Sequence, residues 1–514
     1  MSRSTALVDL FSNKLSVVLP TIAVLLGALF VRALFAADPL SHIPEVGREL
    51  GSNEKRRQAF LANAKALYRD GYQKFKDGVF QIVTSKANTS VVVVAPRYLD
   101  ELKKLPDSII SMEDAVAQSL HAKYTKLPVG DNTVAHTIKS SLNPALPHLN
   151  QELLDEVEQS FLAELPPCDD WTPIRFHGKL LRIVARVSGR VFVGPELGRD
   201  EGYLDAAINY TVEVMNARRA IDRMQPWKRP FLAWRLPEVK RLDERFRQAT
   251  AILRPIVEAR MRLGPDERPN DMLQWLMDDS QAKFGKQSSA RLAQMQLALS
   301  FASIHTTTMT GTNALYDLAA HPELATELRQ EIVSVLAANN GIMSTHALQA
   351  MKKLDSFLKE SLRLHPPGAS SFQRKVRQPI TLSTGENIPA GVVIEAAAHA
   401  VTRDPRIFDD PEEFRPLRFY EMRQRYREEG SVDQAARNQF VSVSSNALSF
   451  GYGRHACPGR FFAANEIKLI VATCILLYDV RLAGGATERY KNFEFGTSSI
   501  PDPSKELVFR RVAG

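Results

Sequence analysis

Cysteine is scarce: Cys168, Cys457 and Cys474 are the only three in 514 residues. Three widely separated thiols exclude a disulfide framework and fit a reducing, cytosol-facing compartment. Gly/Ser linkers, internal repeats and low-complexity tracts are also missing. Length alone suggests about three domains, but without linkers one large domain fits better. No nucleic-acid motif and no basic cluster interleaved with aromatics is present, which argues against a DNA or RNA partner. Charge of neither sign dominates: 66 Lys and Arg stand against 58 Asp and Glu, a net +8. The densest arginine run, Arg415–Arg427, is partly offset by Glu421, Glu428 and Glu429. It reads either as a solvated face or as a dock for an acidic protein. Cys474 lies in an apolar run and reads as a packed core thiol; Cys168 follows Pro166-Pro167 in a loop and suggests no role.

Long apolar runs are few as well, which makes the first one informative. Leu15–Val31 carries no charge and is flanked by Lys14 and Arg32. Its seventeen residues span about 25 Å as a helix, near the lower limit for crossing a bilayer. The flanking cations can snorkel to lengthen it. A cleaved export signal is the rival, with Ala36-Ala37 as a cleavage site, but the cysteine usage argues against export. The expected organisation is an N-terminal membrane anchor over 1–37, a proline-containing hinge over 38–50 around Ile43-Pro44-Glu45-Val46-Gly47, and one catalytic domain over 51–514.

Apolar periodicity predicts helices over Arg56–Tyr72, Glu152–Ala163, Gly178–Phe192 and Glu238–Leu263, the last kinked or broken before Pro255. Pro226–Pro237 reads as a loop. The longest helical pattern runs from Leu292 to Ala320 and stops at His321-Pro322. Another follows over Pro322–Asn339, and one capped by Thr345 runs to His365. Short strands are expected at Val91–Ala95, Ile380–Leu382, Asn387–Ile388, Val392–Glu395, Phe493–Phe495 and Leu507–Arg510. The class is mainly α with small β-sheets.

The most informative stretch is Phe450-Gly451-Tyr452-Gly453-Arg454-His455-Ala456-Cys457-Pro458-Gly459. Its glycines let the backbone double back. Pro458 is expected at the first helical position, with an apolar helix from Phe461 onward. Cys457 is thereby presented at a helix N-terminus, where free N–H groups and the macrodipole favour a thiolate. An anionic cysteine without a sequence neighbour suits a single axial metal bond. A buried cysteine capping a core helix is the bland alternative.

This stretch resembles the haem-binding loop of cytochromes P450, F-x-x-G-x-[R/H]-x-C-x-G, at every fixed position. Glu360-Ser361-Leu362-Arg363 resembles the family's E-x-x-R helix signature. Pro411–Phe419 resembles P-x-x-F-x-P-x-R-F, which implies a structural network of Glu360, Arg363 and Arg418 that locks the cysteine loop. Ala302-Ser303-Ile304-His305-Thr306-Thr307 resembles the oxygen-activation segment A-G-x-[D/E]-T-T. Ser303 stands there for the usual glycine and His305 for the usual carboxylate. A mid-helix threonine can bond the i−4 carbonyl and bend the helix, leaving room for oxygen.

The resemblance covers the chain after the anchor, and what it implies is specific. The fold is the cytochrome P450 fold, preceded by a single N-terminal transmembrane helix. Cys457 ligates the iron of heme b. Thr306 holds oxygen and relays protons; His305 either relays protons too or contacts substrate. Phe450 packs in the cofactor loop, while His455, Arg374 and His136 (with Lys139 beside it) are candidate propionate partners. Phe301, Ile304, Ser370, Ser371, Phe372, Thr497 and Ser498 are candidate substrate contacts. They are mostly apolar or hydroxylic, so a hydrophobic small molecule is expected. The implied activity is an O2-dependent monooxygenase fed by NADPH-cytochrome P450 reductase, the acidic donor that the arginine run could dock. It would sit on the endoplasmic reticulum membrane facing the cytosol, and it most resembles fungal enzymes of terpenoid and alkaloid biosynthesis. The rival readings are a reductase-independent haem-thiolate isomerase or dehydratase, and a non-catalytic haem-binding membrane protein.

Overall fold

A computed structural model describes Thr21, Gly27 and residues 39–512, leaving out 86–88, 280–282, 284 and 286. The expected anchor thus lies outside the described residues, apart from Thr21 and Gly27. Among the described residues no helix is long and apolar enough to cross a membrane. The chain divides into two units, Met1–Pro44 and Glu45–Gly514, and the site lies in the second.

The longer helices are α1 (Asn53–Lys74), α2 (Asn143–Glu164), α3 (Phe176–Phe192), α4 (Glu201–Arg223), α5 (Pro237–Arg260), α6 (Ser289–Ala320), α7 (Pro322–Ala338), α8 (Lys352–Leu364), α9 (Arg418–Glu428) and α10 (Arg460–Leu477). Helix α6 is the spine. Ser288 starts it by accepting the Arg291 N–H on its hydroxyl (3.2 Å), and His321-Pro322 ends it. Helix α3 buries Leu180, Ile183, Val184, Val187 and Val191, all at most 2% exposed, leaves Leu181 of the expected stripe only partly buried, and packs against α2 and α6. Helix α10 is apolar on nearly all sides and runs through the centre of the main core.

The largest sheet has six strands in the order Glu45–Val46, Val79–Val83, Ser90–Val94, Val393–Ala396, Ser371–Val376, Ile110–Ser111. The first and third of these pairings are parallel and the rest antiparallel. A second sheet joins Tyr478–Leu482, Leu507–Arg511 and Thr172–Ile174. The tail hairpin pairs Asn492–Phe495 with Ser498–Pro501.

Several local expectations are corrected. Helix α5 continues through Pro255. The helix expected from Thr345 to His365 is two, Thr345–Ala350 and α8, divided at Met351, and Ser344 rather than Thr345 caps the first. Gly459 occupies the N-cap of α10, so Pro458 sits one residue outside the helix rather than at its first position. Within the arginine run Arg418 and Arg423 are buried, Arg415 pairs with Glu421 at 2.8 Å, and Arg425 and Arg427 stay exposed.

Candidate active site

The cysteine loop is built by backbone reversal. Gly451 and Gly453 both adopt left-handed conformations (φ 76° and 72°). A Cβ on Gly451 would press on the Ala456 backbone at 3.4 Å, and one on Gly453 would meet Lys103 Cβ at 2.8 Å. The loop closes on itself where the Cys457 N–H donates to the Phe450 carbonyl, 2.7 Å. Asn143 Nδ2 pins it from outside by donating to the Pro458 carbonyl, 3.2 Å. Phe440 packs edge-on against Phe450, with ring centroids 5.8 Å apart.

Cys457 opens into a cavity of about 320 Å³ between this loop, the start of α10, and α6. The α6 wall is formed by Leu299, Ala302, Ser303, Thr306, Thr307 and Thr310. Their spacing of three and four residues is one continuous helix face. Phe301, Ile304 and His305 fall off that face. Phe301 packs with the cluster around Tyr124 and Tyr210, and Ile304 is in the main core. His305 donates through Nε2 to the Ile208 carbonyl on α4, 2.9 Å. Burial depresses its pKa, and it is not among the cavity-lining residues.

Thr306 Oγ1 donates to the Ala302 carbonyl at 2.7 Å and lies 3.1 Å from the Ser303 carbonyl. Thr310 and Thr308 back-bond in the same way, to Thr306 and Ile304. Helix α6 stays helical throughout. Space at this level comes from the short side chains of Ala302 and Ser303. The opposite wall is Pro366, Pro367, Gly368, Ser370 and Ser371, with Leu448, Phe462, Ala463 and Ile467 beneath. Thr497 and Ser498 support this wall from behind: Thr497 accepts the Ala369 N–H on its carbonyl at 2.7 Å.

The ion network is as expected and completely enclosed. Arg363 donates from Nε and Nη2 to the two oxygens of Glu360, both at 2.8 Å. Arg418 Nε donates to Glu360 Oε1 at 3.0 Å, as does the Arg415 backbone N–H. The remaining guanidinium protons go to backbone carbonyls of Thr402, Pro411, Asp409, Asp410 and Glu413. Glu360 is 0%, Arg363 3% and Arg418 4% exposed.

A cationic group flanks the cysteine loop. His455 Nε2 and Arg454 Nη2 both lie 2.9 Å from Asp107 Oδ1. Arg374 is buried over the Phe372 ring, its charge acts on His455, and burial pushes its pKa down to about 10. His136 is not brought to the cavity; its ring nitrogen is 3.0 Å from Lys283 Nζ, while Ile138 and Leu142 from the following turns line the wall.

The thiol itself departs from expectation. Burial pushes the Cys457 pKa up; the N–H groups of Gly459 and Arg460 and the Arg460 charge pull it down without overcoming burial. A metal bond would favour the anion further, because a coordinating thiol is deprotonated outright. The residues fit a haem on these grounds. One sulfur faces a mostly apolar space, Gly451 and Gly453 hold left-handed turns that a side chain would strain, and cations gather at the loop's edge.

Glu466 escaped sequence reasoning. It is 0% exposed on α10, and burial raises its pKa to about 8. Ser188 Oγ donates to Oε1 at 2.7 Å, while Oε2 has no partner among the described residues. A carboxylate four residues past Phe462 in a mostly apolar helix was the available signal.

The family model for Cytochrome P450 matches residues 128–508. Cytochrome P450 monooxygenase ATR3 of Stachybotrys chlorohalonatus is 39% identical over 427 residues, covering 82% of this chain and 89% of that one. Cytochrome P450 monooxygenase braC of Annulohypoxylon truncatum is 36% identical over 475 residues, covering 91% and 93%. Cytochrome P450 monooxygenase AN1598 of Emericella nidulans is 36% identical, covering 88% and 84%. With its thiol-bearing loop, enclosed Glu360 network and these relatives, the chain belongs to the cytochrome P450 family, the haem-thiolate monooxygenases.

Proposed function

We propose that this monooxygenase hydroxylates, or otherwise oxidises, a hydrophobic secondary metabolite, a terpenoid first and an alkaloid or polyketide next. Electrons come from NADPH through cytochrome P450 reductase. The observation that carries the reading is that Cys457 and Thr306 line one mostly apolar cavity. Bound haem supplies the iron at which dioxygen is activated. Cys457 would ligate that iron and donate charge to it. Thr306 moves protons: its hydroxyl leaves the Ala302 carbonyl to donate into the cavity and is reprotonated from water. His305, held on the Ile208 carbonyl, couples α6 to α4 and stands off the cavity wall. Arg374 and His455, the cations beside the cysteine loop, would hold the propionates. Leu299, Ala302 and Phe462 exclude water from the reacting carbon.

The apolar run Leu15–Val31 supports a retained anchor, with residues 38–50 as hinge, and an endoplasmic reticulum location with the domain in the cytosol. The fungal relatives support the metabolite class. Candidate terpenoids, alkaloids and polyketides are to be fed to microsomes with and without reductase, and the products read by mass. A gain of one oxygen atom that needs NADPH, reductase and O2 is expected. Turnover without reductase would turn the reading to an isomerase or dehydratase.

A further inference from the structure

Asp317 lies eleven residues past Thr306 on α6, about three turns, and is 1% exposed. Its Oδ2 accepts from Ser361 Oγ at 2.5 Å. Its Oδ1 accepts from Arg489 Nε and is 3.3 Å from His365 Nε2. Arg489 also donates from Nη2 to Asn313 Oδ1, one turn back on α6, at 2.6 Å, and from Nη1 to the Tyr490 carbonyl at 2.5 Å. One buried carboxylate thus joins α6, the end of α8 and the root of the tail hairpin.

The segment between those two attachments is a wall of the cavity. Pro366, Pro367, Gly368, Ser370 and Ser371 directly follow His365 and face the space above Cys457. The tail holds this wall by backbone pairing. The Ala369 N–H donates to the Thr497 carbonyl (2.7 Å), the Ser499 N–H donates to the Pro367 carbonyl (3.1 Å), and Gly368 bridges Ser498. The wall is therefore fixed at its start through Ser361 and His365, and along its length through a hairpin rooted at Arg489. Both routes end on Asp317. Apolar residues could fill such a place at equal stability; what a buried ion pair adds is a fixed geometry.

We propose that Asp317 and Arg489 are positioning residues for selectivity: they set the separation between the Pro366–Ser371 wall and the Thr306 face, and so the shape of substrate admitted. The inference rests on the reading of this cavity as the monooxygenase's substrate chamber.

The test uses full-length protein with haem in microsomes and the variants Arg489→Lys, Arg489→Met, Asp317→Asn and Ser361→Ala. The carbon monoxide complex of the reduced protein reports the thiolate bond. Spectral titrations with imidazole and with 4-phenylimidazole then report a small and a bulky ligand on the same iron. In Arg489→Met and Asp317→Asn, the ratio of the two Kd values should shift by about fivefold to tenfold, with imidazole nearly unchanged. Arg489→Lys should recover part of the shift, and Ser361→Ala should move the ratio the same way by about twofold. An unchanged ratio in variants that keep the red-shifted complex overturns the proposal. So does loss of that complex in Ser361→Ala as well as Arg489→Met, which would make the cluster scaffold for the cofactor. Absence of the complex in the parent would instead overturn the reading of the cavity itself.

Discussion

At Cys457 two effects oppose each other: burial holds the proton on, while the N–H groups of Gly459 and Arg460 pull it off. Sequence alone displays the helix start and conceals the burial, so the loop was legible and the balance was not. The motif resemblance singled out Thr306, and residues three and four apart on α6 prove to be the cavity wall. The same spacing places Phe301 and His305 elsewhere, and only the packing of α4 against α6 shows where His305 goes. Thr306→Ala should keep the haem-thiolate spectrum yet divert electrons to peroxide or water, with product per NADPH falling roughly tenfold or more, the low end or below of a lost proton-transfer group. Equal coupling in variant and parent would remove Thr306 from proton delivery. Glu466 carries a pH signature. Its pKa rises from an ordinary 4.5 to about 8 in the folded protein, so folding favours the protonated form. Its contribution is full below about 4.5 and is lost as pH climbs to about 8, since the unfolded state there holds fewer protons. Glu466→Gln should flatten the fall of Tm between about pH 4.5 and 8; an identical pH slope in both proteins would show the group is not neutral in the fold.

Among elements, α8 and α9 depend on one another through charge. Glu360 meets Arg363 on its own helix and Arg418 across to α9, and all three are enclosed. Removing one partner leaves a buried charge uncompensated, at a cost of about 3–5 kcal/mol. Arg418→Ala should thus lower Tm and the haem-to-protein ratio together, and Arg418→Lys should recover little, since one ammonium cannot reach Glu360 and three carbonyls at once. Retention of full haem content by Arg418→Ala would separate the network from the cysteine loop. Helix existence was readable wherever an apolar stripe and a stop coincided, as at α3 and α6. The start of α2 was not readable, because Pro144 and Pro147 hid a turn that extends back to Asn143. Val79–Val83 and Tyr478–Leu482 were missed as strands: the first is buried on every residue and shows no alternation, and the second continues an apolar helix without a break.

Across the whole molecule, the six-stranded sheet pairs Ser90–Val94 with Val393–Ala396, some three hundred residues apart in sequence. Local propensity marks such strands but does not order them, which is why the class was legible and the topology was not. The resemblance carried the cofactor and the order of the motifs, and tertiary packing supplied the cavity wall from Pro366 to Ser371. If Leu15–Val31 anchors the domain, removing residues 1–37 should release the protein from carbonate-washed microsomes with its spectrum intact; retention in the pellet would refute a sole anchor. The account turns finally on the sulfur–iron bond. The reduced protein under carbon monoxide should show the red-shifted Soret band of thiolate ligation, and Cys457→Ala should lose it. A parent protein lacking that band, or a Cys457→Ala variant keeping it, would contradict the account.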